Sequence, residues 1–258
     1  MRKIFVISVL LAASFCSLGA QETISLRVMT MNVKEGAKYA SYASEPYAEL
    51  IRQYSPDVVA FQEVHNRTSL NGVKDWLSEV AIQTGMMPYF CKSISYMGGD
   101  FGVGILSRYP FYKAEKIVSV MEGAREDRAT GWIYIMLPSG AKVRVASTHL
   151  ALESSQITIR NIADVNKKIF AEDTQTPTLL IGDFNATPDS DAITYARNKW
   201  QNIITDNIFT LPSDDPDTRL DYVMGYPKSW KCTNYEVIAR PDLSDHCFIV
   251  ADVTITVE

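Results

Sequence analysis

Short stretches spread along the chain carry side chains that can do chemistry, and each adjoins an apolar run. Asn32 ends Met29-Thr30-Met31-Asn32, Glu63 ends Phe61-Gln62-Glu63, and His149 ends Ser147-Thr148-His149. Asp183 and Asn185 stand in Gly182-Asp183-Phe184-Asn185, and Asp221 in Arg219-Leu220-Asp221-Tyr222. Ser244-Asp245-His246 comes just before Cys247-Phe248-Ile249-Val250. Strands of a buried sheet ordinarily end in turn formers, not in carboxylates and imidazoles. Oxygen donors gathered on strand ends suit a hard divalent cation, and histidines beside them suit phosphate chemistry.

Each residue also has a plain structural explanation. Asp183 can form an Asx turn that caps the next helix. Glu63 can be an exposed strand-end charge, Asn32 a turn residue, His149 a satisfied core histidine and Asp245 a cap. These explanations serve one residue at a time and account poorly for the joint occurrence at strand ends. Chemically, an aspartate at the end of Thr178-Leu179-Leu180-Ile181 can orient and deprotonate a water. An amide two residues later, at Asn185, can donate to a phosphoryl oxygen.

The elements that must position these groups are legible as hydrophobic patterns. Tyr47, Leu50, Ile51 and Tyr54 have helical spacing, as do Val73, Trp76, Leu77 and Val80. Ile159, Ile162, Val165 and Ile169 mark a third helix with Ser154 or Ser155 as its N-cap. A fourth, short helix is expected from Thr187, with Pro188 at its first position. Strands are predicted over 24–31, 58–62, 101–106, 132–137, 143–148, 178–181, 221–224, 235–239 and 248–257. Helices do not alternate strictly with strands, so a simple doubly wound sheet fits less well than packed sheets with helices outside.

The chain has 258 residues and is 47% hydrophobic, enough for one sizeable core and unlike a disordered chain. Residues 1–20 read as a secretory signal peptide: Arg2 and Lys3, an apolar run from Ile4 to Phe15, then small residues to Ala20. Export to the periplasm or outside is therefore expected, with residues 21–258 as one domain. Bulky Phe15 argues against lipid attachment at Cys16. The formal charge is -5, and -7 once Arg2 and Lys3 are removed with no acid lost. Such a balance opposes bulk binding of duplex DNA, which relies on Lys and Arg. Cys91, Cys232 and Cys247 lack zinc-ligand spacing. A Cys232–Cys247 disulfide and buried free thiols are both open.

Taken in order, the motifs resemble those of the endonuclease/exonuclease/phosphatase superfamily, over nearly all the mature chain from Leu26 to Val253. The resemblance implies a four-layered α/β sandwich: two central mixed β-sheets flanked by helices, with the site at one sheet edge. It also implies roles by position. Glu63 and Asp245 would bind Mg²⁺ or Mn²⁺, with Asn32 assisting. Asp183 would activate water, Asn185 and His246 would contact the scissile phosphate, and Asp221 would orient His246. His149 would protonate the leaving group or stabilise the transition state. Gly98 to Pro110 is similar to a small exported bacterial branch.

Lys34, Arg67 and Arg128 stand near these motifs and are candidates to bind a second substrate phosphate, although solvated charges of this kind are common. The expected function is phosphoester hydrolysis, with a diester preferred to a monoester. A small or lipid-derived substrate and a monomeric enzyme are expected. A secreted nuclease and an inactive binding module are the alternatives. Asp214, Asp215 and Asp217 precede the Asp221 motif and would oppose approach of DNA.

Overall fold

Strands whose neighbouring side chains are both apolar must be covered on both faces. Val58-Val59, Leu179-Leu180 and Val28-Met29 are such pairs, and all six side chains are buried. The computed structural model describes residues 22–257 and shows how they are covered. The expected signal peptide, and Cys16 with it, lies outside the described residues. Two mixed six-stranded sheets pack face to face with helices outside, so the chain is an α/β sandwich of four layers. One member of each pair faces the seam between the sheets, where Val28, Val58 and Leu179 join Ile133, Val145, Val223 and Val253. Met29 and Val59 face outward with Tyr47, Ile51, Trp76 and Val80. Leu180 does so on the other side with Ile162, Val165, Ile169 and Trp200.

The first sheet runs β11 (Lys231–Ile238), β12 (Phe248–Val257), β1 (Glu22–Asn32), β2 (Val58–Asn66), β4 (Gly99–Ser107), β3 (Met87–Tyr96). The second runs β5 (Phe111–Ser119), β6 (Arg128–Met136), β7 (Lys142–His149), β8 (Thr178–Asp183), β10 (Asp221–Tyr226), β9 (Gln201–Asn202). Two central pairs are parallel, β1 with β2 and β7 with β8. Each pair therefore sends its C-terminal ends to the same sheet edge. The helices are the single turn α1 (Lys34–Ala37), α2 (Glu45–Tyr54), α3 (Trp76–Thr84), α4 (Ser155–Glu172) and α5 (Asp191–Ala196). Among the described residues, no helix is long and apolar enough to cross a membrane.

Several expectations are corrected. Val73 is outside α3, in a left-handed conformation and exposed, because Asp75 caps that helix by accepting from Ser78 N. The fourth helix starts at Asp191 rather than Thr187, since Thr187–Ser190 close into a turn and the Ser190 hydroxyl accepts from Ile193 N. Strands β3, β5 and β9 were not expected. All three lie at sheet edges, where polar residues face water and the apolar pattern weakens. Cys91, Cys232 and Cys247 are free thiols.

Below the sheet edge a buried polar set ties the two sheets together. Gln62 Nε2 donates to Ser147 Oγ, Ser147 Oγ donates to the Phe61 carbonyl, and Thr30 Oγ1 donates to Gln62 Oε1. Gly182 makes this approach feasible: its φ is +142°, and a Cβ there would sit 2.1 Å from the Thr148 carbonyl oxygen and 2.9 Å from Gln62 Nε2. Gly182→Ala is expected to lower unfolding free energy by about 2–4 kcal/mol, from strained backbone together with overpacking. Urea denaturation measures this, and wild-type stability would show that the seam tolerates a side chain there.

Candidate active site

The convergence of strand ends follows from register. Asp183 on β8 is paired with His149 of parallel β7 on one side and with Asp221 of antiparallel β10 on the other. Across the seam lie Asn32 at the end of β1, Glu63 on β2, and Asp245 and His246 just ahead of β12. Asp183, Asp221, His246, His149 and Asn32 are all buried. Glu63 gets its aim from a β-bulge. Between Phe61 and Val64 the register with β4 shifts, and Glu63 takes φ +59°.

Hydrogen bonds then assign partners. Asn32 Nδ2 donates to Asp183 Oδ2 at 3.0 Å and to Glu63 Oε1 at 3.2 Å, spanning the two sheets. Asn32 Oδ1 accepts from Lys34 N, and Ser244 Oγ donates to the Asn32 carbonyl. Glu63 Oε2 accepts from Glu35 N at 2.8 Å, across a left-handed turn in which Lys34, Glu35, Gly36 and Ala37 all have positive φ. Asp183 Oδ1 accepts from Asn185 N, an Asx turn, while Asn185 Nδ2 donates to the Leu150 carbonyl. His246 Nδ1 bonds Asp221 Oδ2 at 2.9 Å, leaving Nε2 on the Asp183 side at 3.7 Å from Oδ2. His149 Nε2 is 3.5 Å from the same oxygen.

The charges follow from this burial. Burial opposes a proton on His246, but the Asp221 and Asp183 carboxylates outweigh it and raise the imidazole to about 10. Asp183 is raised to about 7, first by burial and, against the pull of His246, by Asp221 and Glu63. Burial, and then the positive charges of Arg128, His246 and Lys34, hold His149 well below the usual histidine range, so it is neutral. Arg128 Nη1 is 3.1 and 3.2 Å from the two ring nitrogens of His149. A neutral imidazole accepts through one nitrogen only, and an N–H near-equidistant from both lies over the ring, so this is a cation against the ring rather than an in-plane hydrogen bond. Arg128 also pairs with Glu126 at 2.9 Å.

These groups open onto a cavity of about 400 Å³. It is lined by Glu63, Asp183, Asn185, Asp245, His246, His149, Lys34 and Arg128, all sequence candidates. Asn32 and Asp221 lie behind this lining, each hydrogen-bonded to a residue in it. Arg67 is not brought there. It pairs with Asp75 at 3.6 Å and lines a neighbouring cavity with Asn66 and Gly99. Asp214, Asp215 and Asp217 do not line the site either. Their loop instead packs by Ser213, which donates to the Ser244 carbonyl, and it presents Leu211 and Leu220 to the cavity.

Three titratable lining residues were missed in the sequence, Glu35, His65 and Glu126, as was the apolar part of the lining. His65 follows Glu63 by two positions, the spacing of one face in a regular strand, but the bulge at Glu63 breaks that alternation, so the spacing alone does not place it. Nothing in the local sequence marks Glu126.

The donor set fits a divalent cation. Asp245 Oδ1 is buried without a hydrogen-bond partner, and the Lys34 ammonium already lies 2.9 Å from Asp245 Oδ2. Burial opposes that ammonium's charge, yet Glu63 and then Asp245 raise its pKa. The place therefore favours positive charge. Among the described residues, Asp183, Asp221 and His246 also offer ligand atoms within 4.8 Å of one another. His246 Nδ1 and Asp221 Oδ2 already bond each other, although Asp221 Oδ1 has no partner, whereas Glu63 and Asp245 already favour a cation at Lys34 and suit a metal better.

The sequence model described as the Endonuclease/Exonuclease/phosphatase family matches residues 29–246. A search of the curated proteins gives no match. Similar solved structures include an endonuclease/exonuclease/phosphatase from Bacteroides vulgatus, with 16% identity, TM-score 0.76, 90% of this chain and 99% of that one covered. A mannosyl-6-phosphatase from Bacteroides thetaiotaomicron has 13% identity and TM-score 0.74 over 90% of this chain and 100% of its own. D. rerio TDP2 complexed with single strand DNA product has 17% identity and TM-score 0.66 over 89% and 98%.

Asn32→Ala would leave the buried Asp183 carboxylate and the half-buried Glu63 carboxylate without their shared donor. It is expected to destabilise the protein by about 1–3 kcal/mol, read by chemical denaturation with Asn32→Asp as comparison. An unchanged midpoint for Asn32→Ala would mean that the amide is not needed to hold the seam.

Proposed function

The chain belongs to the endonuclease/exonuclease/phosphatase family, and we propose that it is a divalent-cation-dependent phosphoesterase that cleaves a P–O ester bond by in-line attack of water. The observation that carries this reading is the buried Asp183–His246–Asp221 set. It opens onto a cavity where Asp245 retains an unpartnered buried oxygen. The cavity lining has five carboxylates, Glu35, Glu63, Glu126, Asp183 and Asp245, against two permanent cations, Lys34 and Arg128. A phosphate entering that field needs added positive charge.

A Mg²⁺ or Mn²⁺ held by Glu63 and Asp245, with Asn32 beside them, would neutralise charge developing on the phosphoryl oxygens. Asp183, with its raised pKa and its orientation fixed by Asn32, accepts the proton of the attacking water. His246 keeps a proton on Nε2, because Asp221 holds Nδ1 and the ring stays charged, and donates to a phosphoryl oxygen. Arg128 adds a fixed charge at His149, and its buried Nε has no partner within the protein. Neutral His149 has no surplus proton for the leaving group, so its assigned role is hydrogen bonding in the transition state, and the departing ester oxygen takes its proton from solvent. Asn185 supports this arrangement by fixing Asp183 through its backbone N–H.

The substrate class follows from size and charge. A cavity of about 400 Å³ with more carboxylates than cations suits a small phosphoester, diester before monoester, better than duplex DNA. Export to the periplasm or beyond, and action on a small-molecule or lipid-derived ester, remain part of the proposal. A DNA-processing neighbour, TDP2, supports the nuclease as the second reading. Hydrolysis of bis(p-nitrophenyl) phosphate, p-nitrophenyl phosphate and plasmid DNA separates the readings. The small diester is expected to give the highest kcat/KM. Plasmid cleavage without small-diester turnover would favour the nuclease.

Chelation with EDTA is expected to abolish turnover and added Mg²⁺ or Mn²⁺ to restore it, whereas full activity in EDTA would refute the metal assignment. Asp183→Asn and His246→Gln are each expected to lower kcat at least about a hundredfold, the scale of losing a transition-state contact. Circular dichroism should show a retained fold. Either variant turning over at near wild-type rate would remove that residue from the mechanism.

A further inference from the structure

The cavity has two unlike walls. The polar wall holds the carboxylates and imidazoles described above. The other wall is apolar and is made by Ile94 and Tyr96 of β3 and Phe101 of β4, with Leu152, Leu211 and Leu220 contributed by loops.

The aromatic part of this wall is built with care. The register between β3 and β4 shifts between Lys92 and Ile94, so Ser93 is an extra residue. A bulge of this kind re-aims the side chains beyond it, and here Ile94 and Tyr96 line the cavity together with Phe101. The hairpin closes through Met97 and Gly98, both with positive φ, as the tightest β-turns require. Under the two rings stands His65, edge-on to Tyr96 at 5.5 Å between centroids and to Phe101 at 5.3 Å.

His65 is itself fixed in place. Its Nδ1 bonds Thr68 Oγ1 at 2.9 Å, and Asn71 donates to both the His65 and Lys74 carbonyls. Gly36 presses on the ring so closely that a Cβ there would be 2.6 Å from His65 Cβ and Cγ. The three rings thus form a supported aromatic corner, with Tyr96 and Phe101 tilted 57° to each other at 6.1 Å between centroids, and Tyr96 remains 42% exposed. A rigid aromatic surface beside a phosphate site recognises a flat group by stacking, whereas a flexible acyl chain needs a long apolar groove.

We propose that one ester group on the scissile phosphate carries an aromatic ring, and that this ring stacks on Tyr96 with Phe101 tilted beside it and His65 behind both. The inference rests on the phosphoesterase reading and names the substrate class for that site. Tyr96 also lines the neighbouring cavity with Arg67, so a larger substituent on the ring has room to continue past it.

Phenylphosphonate and methylphosphonate share a phosphoryl head that water does not cleave, and they differ only in the ring. Their binding is measured by titration calorimetry with Mg²⁺ present, so catalysis is not needed for the readout. The wild-type protein is expected to bind the phenyl compound about tenfold more tightly, the scale of one aromatic stacking contact. Tyr96→Ala should lose most of that preference, and Tyr96→Phe should keep it. Melting curves of each variant show that the fold persists. Equal affinities in the wild type, or a preference unchanged in Tyr96→Ala, would overturn the aromatic subsite while methylphosphonate binding still supported the esterase reading. Binding of neither phosphonate would overturn both.

Discussion

Carboxylates cannot be taken out of water unless something inside the protein takes water's place. At the seam of this sandwich four acids, Glu63, Asp183, Asp221 and Asp245, meet the imidazoles of His149 and His246, and the donor shared between the sheets is the Asn32 amide. It reaches Glu63 on its own sheet and Asp183 on the other. Around that one side chain the other partners fall into place. Ser244 holds its carbonyl, Asp221 holds His246, and Gln62 with Ser147 joins the sheets just beneath. Satisfaction is incomplete in an informative way. Asp221 Oδ1, Asp245 Oδ1 and Arg128 Nε stay buried without partners, and such atoms in a native structure ask for a ligand or ion.

The same region carries much of the backbone strain. Lys34, Glu35 and Ala37 are left-handed without being glycine, as are Glu63 and Asn185. Each of these except Asn185, a residue type that tolerates this region, costs roughly 1–2 kcal/mol against an ordinary conformation. What the strain provides is aim: Glu35 N toward Glu63, Glu63 toward the cavity, Asn185 N toward Asp183. The apolar layers between and outside the sheets make this sustainable, since they bury Trp76, Trp132, Trp200 and Trp230 almost completely. A site built this way trades stability for electrostatic preorganisation.

Local pattern was a reliable guide wherever a strand or helix is covered on its apolar side. The central strands, α2 and α4 were readable because burial imposes periodicity, and of the two serines expected as the cap of α4 it is Ser154 that serves. The edges were not. In β3 and β5 charged and hydroxyl residues alternate irregularly with apolar ones because one side of each strand meets water and no neighbour. Pro188 looked like a helix start, but the turn from Thr187 to Ser190 used it, and Ser190 became the cap.

For the site, the sequence by itself determined which side chains are candidates and that they stand at strand ends, because motif and strand are contiguous in the chain. Asn32, Glu63, His149, Asp183, Asn185, Asp221, Asp245 and His246 were named on that basis, and Lys34, Arg67 and Arg128 only as cations near those motifs. Only the tertiary structure decided who partners whom. Asn32 and Asp183 are 151 positions apart and meet through strand pairing in separate sheets. The structure also separated Arg128, beside His149, from Arg67, in the next cavity, although both looked equivalent as nearby cations. It added His65 and the aromatic wall, which depend on bulges in β2 and β3. A bulge changes which way every later side chain points, and its position is set by the partner strand's register rather than by the residues of the strand alone.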